Sequence, residues 1–336
     1  MTGNFPVINK RVFSAGVRSN KQIGQRFYRL GLEFTGDGAK VFAKFRPGQF
    51  AELDLCGTAL PPAEKIPEDL ADAGQRNILL RRPFSFADVY TEKDRTLAEV
   101  LYCVVGPASL RMTTLAAGDS VSVIGPLGNG FWVPAGKKRA FLVAGGMGAP
   151  PLLHLAKNIT TDLPNIEVIV FAGGKTAKEL PFERRLDEIS QQLGFSLLEF
   201  AKYGVKSQVA TEDGSAGFEG MVTDCFKQWI NKSNPPRDGT IICACGPEQM
   251  LAKVAEIAKE KQIDCQISME RRMACGIGVC QSCAVECRVN GTDPVRSDLP
   301  YGSGTTPVGI SNGASETIYK LCCEDGPVFD SREVVF

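Results

Sequence analysis

Apolar and polar positions in the first part of the chain alternate with a period of two. In Phe27–Phe34 the positions Tyr28, Leu30, Leu32 and Phe34 share one face. Further extended runs are Phe50–Leu55, Ile78–Arg82, Leu97–Val105 and Ser120–Ile124. Glycine and proline break them, as at Arg46-Pro47-Gly48 and Gly125-Pro126-Leu127-Gly128. Short strands with turn signals and little helical periodicity predict an antiparallel β-barrel or sandwich over residues 1–134. The proline-rich stretch Gly57–Asn77 reads as a surface insertion with a short helix.

The rhythm changes over residues 135–263. Strand-like runs at Ala140–Ala144, Val168–Ala172, Ser196–Phe200 and Thr240–Ala244 alternate with helical patterns at Pro151–Thr160, Ala177–Leu193, Gly220–Asn231 and Pro247–Lys261. That alternation predicts an α/β domain, a parallel sheet covered on both faces. From residue 264 to 336 the chain is rich in cysteine and loops, and Arg288–Thr317 reads as a long loop. The expected architecture is therefore multidomain, with a β-barrel, an α/β domain and a small cysteine-rich domain.

Composition narrows the function. The chain has 336 residues, 43% apolar and 23% charged, which excludes a disordered or fibrous protein. Lysine plus arginine equals aspartate plus glutamate at 38 each, so no global field recommends nucleic acid as a partner. No apolar run reaches the roughly 18 residues of a membrane span. Met1–Phe13 lacks a secretory pattern, so a cytoplasmic location is expected. One histidine, His154, stands against twelve cysteines, six of them between Cys275 and Cys323. A single histidine argues against Ser–His catalysis and multi-histidine metal sites; His154 itself reads as a packed helix residue. Clustered cysteines in such a chain bind metal more often than they form disulfides.

Cys275, Cys280 and Cys283 have the spacing C-x4-C-x2-C, the plant-type [2Fe–2S] pattern, which requires a remote fourth cysteine. Gly276 and Gly278 let the backbone wrap closely and aim N–H groups at sulfur. Cys287, Cys322 and Cys323 are candidates for the fourth position, Cys287 standing too near for that pattern. Cys322 and Cys323 are neighbours, so only one should ligate. A four-cysteine zinc site or a set of disulfides are the competing readings.

Two further loops bear on nucleotides. Gly145, Gly146 and Gly148 follow a strand and lead through Ala149 and Pro150 into a helix, and Cys245-Gly246-Pro247 repeats that arrangement. Glycines let backbone approach a pyrophosphate, and a helix N-terminus supplies N–H groups. Arg82-Pro83-Phe84-Ser85 offers a guanidinium and a hydroxyl suited to a flavin; taken alone, it reads more readily as a strand end closed by proline.

In order, these segments resemble the ferredoxin–NADP reductase superfamily with a C-terminal iron–sulfur domain, and within it the electron-transfer subunits of NAD-dependent dihydroorotate dehydrogenases. Met269-Glu-Arg-Arg-Met-Ala-Cys275 and Cys323-Glu-Asp-Gly-Pro-Val-Phe329 carry part of the likeness. The resemblance selects Cys323 as fourth ligand. It implies FAD bound by Arg82, Pro83, Phe84 and Ser85 with Leu101, Tyr102 and Cys103. Ala108 and Ser109 replace a usual Gly-Thr near the flavin phosphates. It also implies NAD flanked by Gly145, Gly146, Gly148, Ala149, Pro150, Cys245, Gly246 and Pro247. Ser85 would sit near flavin N5 and Cys245 beside the nicotinamide. The implied partner is an FMN-containing dihydroorotate dehydrogenase catalytic subunit, in a heterotetramer with two copies of each chain. Lys175, after the second α/β strand, would tolerate an NADP 2′-phosphate, so the residues themselves leave NADP open. The same motifs would suit a subunit of a sulfide dehydrogenase, hydrogenase or bifurcating transhydrogenase; a non-enzymatic zinc module is the alternative of another class.

Overall fold

In the computed structural model the period-two segments pair antiparallel into one sheet. Its strands are β1 (Val12–Gln22), β2 (Phe27–Phe34), β3 (Phe50–Asp54), β4 (Arg82–Ser85), β5 (Asp88–Glu92), β6 (Arg95–Cys103) and β7 (Ser120–Leu127), in the order β4-β3-β7-β1-β2-β6-β5. Edge strands β4 and β5 are not paired to each other, so the antiparallel sheet expected as a barrel or sandwich is a curled half-barrel. The structure describes residues 11–182, 184–186, 195–289, 309–310 and 317–336. Alternation in β2 buries Leu30, Leu32 and Phe34 in one core with Phe42 of helix α1 (Gly36–Phe42). The Phe34 and Phe42 rings stack at 3.8 Å, and Phe45 stacks on Phe86 at 4.4 Å, contacts that add to simple area burial.

Strand β1 escapes the sequence pattern because only Ala15 and Val17 along it are buried. The run Ile78–Arg82 was expected as a strand, but β4 starts only at Arg82. Ile78 is buried while Leu79 and Leu80 are exposed, so two adjacent apolar residues mark a rim and not a sheet face. Within Gly57–Asn77, two 3-10 turns lead into helix α2 (Ala71–Gly74), and Leu70 packs into the half-barrel core. Helix α3 (Pro107–Met112) follows β6.

Onward the elements are β8 (Arg139–Gly145), α4 (Ala149–Asp162), β9 (Glu167–Gly174), β10 (Arg184–Leu186), β11 (Phe195–Leu197), α5 (Leu198–Ala201), β12 (Lys206–Thr211), β13 (Phe218–Glu219), α6 (Val222–Ser233), β14 (Thr240–Cys245), α7 (Glu248–Lys261), β15 (Asp264–Ser268), β16 (Ala284–Arg288), β17 (Gly309–Ile310), β18 (Thr317–Leu321) and β19 (Val328–Asp330). The second large sheet has the order β13-β12-β9-β8-β14-β15-β19, parallel except at β19. Its faces bury alternate residues. Ala140, Leu142 and Ala144 of β8 join the core with α4, and Phe141 and Val143 join the core with α6 and α7.

Two expectations in this region fail. Ser196–Phe200 does not enter the parallel sheet: β11 pairs antiparallel with β10 in a separate ribbon. The sheet position belongs to β12, whose polar Ser207 and Thr211 are nonetheless buried. The helix expected over Ala177–Leu193 is absent from its described part, which holds one 3-10 turn (Ala177–Glu179) and β10; residues 187–193 lie outside the described residues. Pro181 removes an N–H that a helix interior needs, and Phe182 instead packs edge-on to Phe200 at 5.3 Å. The last elements, β16, β18 and β17, form a three-stranded antiparallel sheet, and most of Arg288–Thr317 lies outside the described residues. Among the described residues no helix is long and apolar enough to cross a membrane.

Candidate functional site

Parallel pairing of β8 with β14 sets Ala144 beside Cys245, so the loops after both strands emerge together at the carboxyl end of the sheet. They touch. A Cβ added to Gly148 would lie 2.0 Å from the Cys245 carbonyl oxygen, and one on Gly145 would lie 2.8 Å from Pro247. These loops, the ends of β4 and β6, the start of α3 and the segment after β15 enclose one cavity of about 630 Å³. That volume lies in the range of small-molecule and cofactor sites.

The cavity gathers Arg82, Pro83, Phe84, Ser85, Leu101, Tyr102, Cys103, Ala108 and Ser109 on the half-barrel side. Gly145, Gly146, Gly148, Pro150, Cys245, Gly246 and Pro247 line the nucleotide-sheet side. Ala149 is the exception: it is 2% exposed and packs into the α4 core. Of the paired arginines, Arg81 is tied to the half-barrel through Asp54 and Ser122, whereas Arg82 lines the cavity and donates to the carbonyls of Leu80 and Arg81. The Ser109 hydroxyl accepts from the N–H groups of Val105 and Gly106 and so closes the turn before α3. Burial pushes the Cys245 thiol up to about 12, against a hydrogen bond with Ser268. It is a neutral wall at physiological pH, not a nucleophile.

Sequence reasoning assigned no role to Phe50, Met147, Glu270, Arg271 or Pro327, all of which line the cavity. Arg271 makes a bidentate pair with Glu248 at the start of α7, at 2.9 and 3.0 Å. The charged stretch just before Cys275 was the available signal. Beside the loop carrying Lys175, the Glu212 and Asp213 N–H groups donate to the carbonyls of Gly174 and Lys175. Carboxylates missing from the first loop thus arrive on the next. His154 is a packed residue, 2% exposed, with its ring 6.2 Å from Phe45; burial drives its pKa down to about 3.

The cysteine segment follows directly from the cavity wall. Gly276, Gly278 and Gln281 adopt positive φ, curling the loop so that the N–H groups of Ile277 and Cys280 point at Cys275 Sγ, at 3.5 and 3.4 Å. Cys280 is hydrogen-bonded to Cys275 and Cys283 to Cys323, while Cys280 also lies near Cys283 and Cys275 near Cys323, so the four thiols gather at one place. Among the described residues, no three Cys, His, Asp or Glu side chains form a set for one metal ion. Cys322 Sγ donates to the Met269 carbonyl at 3.2 Å; Cys287 is buried in β16.

Glu52 was not foreseen. It is fully buried on β3, and neither carboxylate oxygen has a hydrogen-bond partner. A Cβ on Gly276 would come within 2.6 Å of it, so it lies between the half-barrel and the cysteine loop. Burial pushes its pKa up to about 7, opposed by Arg82 and Arg81.

Residues 142–256 match the model of the oxidoreductase NAD-binding domain family. The dihydroorotate dehydrogenase B (NAD(+)) electron transfer subunit of Caldanaerobacter subterraneus subsp. tengcongensis is 32% identical over 96% of this chain and 98% of its own length. The corresponding subunit of Bacillus caldolyticus is 32% identical over 95% of this chain and 96% of its own. In fold, the chain is similar to a solved NADH-dependent reduced ferredoxin–NADP oxidoreductase studied for flavin-based electron bifurcation. The TM-score is 0.64 and the identity 22%, over 96% of this chain and 89% of that one. With such identity along nearly the whole of both chains, this protein belongs to the family of dihydroorotate dehydrogenase B (NAD(+)) electron transfer subunits.

Proposed function

We propose that the chain carries electrons from the FMN of a catalytic partner, which oxidises dihydroorotate to orotate, to NAD⁺. One observation carries the reading: a single cavity joins the ends of β4 and β6, both glycine loops and the segment leading to Cys275. FAD and a [2Fe–2S] cluster, when bound, supply exchange between one-electron and two-electron carriers, which no side chain provides.

The chain's own residues bind and orient. Arg82 presents a planar cation to the flavin pyrophosphate, and Ser85 presents a hydroxyl to the ring edge. Leu101, Tyr102, Cys103, Ala108 and Ser109 complete that wall. Gly145, Gly146 and Gly148 let the backbone approach the dinucleotide and offer it their N–H groups, while Ala149 and Pro150 open α4 behind them, Pro150 lining the wall without an N–H to donate. Cys245, Gly246 and Pro247 border the nicotinamide without acid–base work. Glu212 and Asp213 beside Lys175 favour NAD, since a carboxylate bonds a ribose 2′-OH and repels a 2′-phosphate. Cys275, Cys280, Cys283 and Cys323 would hold a two-iron group better than a single zinc ion, since no three of them converge as a set for one ion. Gly278 adopts φ +83°, which strains any residue with a side chain, and a Cβ there would also displace the Glu324 carboxylate. On this reading residues 1–134 hold FAD, 135–263 hold NAD and 264–336 hold the cluster. The working assembly is a cytoplasmic heterotetramer, two of each subunit.

Copurification with an FMN-containing dihydroorotate dehydrogenase should yield FAD, iron and acid-labile sulfide, with dihydroorotate-dependent reduction of NAD⁺. Zinc without flavin absorbance, or stable association with a hydrogenase-like subunit instead, refutes the proposal. Cys280→Ser should lose iron yet keep FAD and NADH-to-dye activity. Undiminished dihydroorotate-to-NAD⁺ transfer in that variant would contradict the route.

A further inference from the structure

Cys322 is fully buried and bonded on both sides. Its N–H donates to the Cys283 carbonyl at 3.0 Å, and its Sγ donates to the Met269 carbonyl at 3.2 Å. Cys283 and the adjacent Cys323 are paired thiols of the cysteine site, whereas Met269 lines the cavity immediately after β15. One residue therefore touches both sites. A second tie runs beside it: the Met269 N–H donates to the Pro327 carbonyl at 2.8 Å, and Pro327 also lines the cavity.

We infer that Cys322 is a positioning residue that locks the flavin-cavity wall at Met269 to the cysteine pair Cys283–Cys323, fixing the separation between the two redox sites. Two features favour positioning over plain packing. A thiol is a weak donor that a buried position does not need for volume, yet this one is aimed at a main-chain carbonyl. That carbonyl belongs to the residue that turns the chain from β15 into the cavity wall, and β15 is hydrogen-bonded on both edges by β14 and β19. The wall is thus rigid on its sheet side, and Cys322 transmits that rigidity to the cysteines. Electron transfer between fixed centres falls steeply with separation, so loosening this tie should slow passage while leaving each centre intact. The inference rests on the proposed function for its redox meaning, but the mechanical tie can be read without cofactors.

The test compares Cys322→Ala, Cys322→Val and Cys322→Ser in the full chain. Serine keeps a donor; alanine and valine remove it, one leaving space and the other filling it. Hydrogen exchange of the cofactor-free protein should quicken across 268–271 by about fivefold in Ala and Val, equivalent to about 1 kcal/mol, the scale of one neutral hydrogen bond. Serine should match wild type. In the loaded protein, iron content and NADH-to-dye turnover should hold in all three, while the NADH-driven reduction of the cluster, followed by its visible and EPR signals, should slow severalfold in Ala and Val only. Wild-type behaviour of the valine variant in both assays overturns the inference, as does equal damage in all three. Loss of iron in Ala or Val with unchanged exchange also overturns it, by making Cys322 a holder of the cluster. A wild-type protein without flavin or iron defeats the proposed function instead, and the exchange arm still decides the tie.

Discussion

Adding one methyl group at Gly148 should disable nicotinamide handling without touching the flavin or the cysteines. A Cβ there would stand 2.0 Å from the Cys245 carbonyl oxygen, 2.3 Å from its carbon and 2.6 Å from the Gly246 nitrogen. Ordinary contact starts at 3.4 Å, so the loops after β8 and β14 must part by roughly 1.4 Å. Every atom struck is backbone, so no flexible side chain can yield. Overpacking of this kind costs about 1–3 kcal/mol of stability. Misplacing a bound reactant by about 1 Å can cost up to about 100-fold in rate. Gly148→Ala should therefore lower kcat/KM for NADH-to-dye transfer by about ten- to a hundredfold, with FAD and iron content unchanged. Gly57→Ala is the control, since nothing lies within 4 Å of its added Cβ. A folded Gly148→Ala protein with wild-type kcat/KM would refute the contact between the loops.

His154 sets an acid limit on stability. Its folded pKa of about 3 lies below the ordinary 6.5, so its contribution is complete above about pH 6.5 and falls away as pH drops toward 3. Between pH 7 and 5, urea denaturation should show wild type losing about 2 kcal/mol more than His154→Gln; equal losses would rule out a buried neutral imidazole. Glu52 acts in the opposite direction. A carboxyl held near 7 destabilises the fold increasingly as pH rises from about 4.5 to 7, so cofactor-free Glu52→Gln should melt above wild type at pH 8, with the gap closing toward pH 5. A lower melting point at pH 8 would mean that the carboxylate has a partner.

Chemistry written in neighbouring residues was legible along the chain. Spacing set Cys275, Cys280 and Cys283 on one loop, and a strand–glycine–helix order marked both nucleotide turns, because these features need only local backbone geometry. Alternation likewise exposed β2, and unbroken apolar runs exposed β8 and β14. What depends on residues distant in sequence was not legible. A glutamate in an alternating strand looks solvent-facing, and only the approach of Gly276 from across the molecule buries Glu52. Pro181 and the packing of Phe182 on Phe200 overrode a helical pattern, and the buried polar Ser207 and Thr211 hid β12 from a search for apolar runs. The sequence by itself determined which groups can do chemistry. The tertiary structure decided which of them share a cavity, because pairing β8 with β14 and returning Cys322 to Met269 are contacts between distant segments that no local pattern encodes.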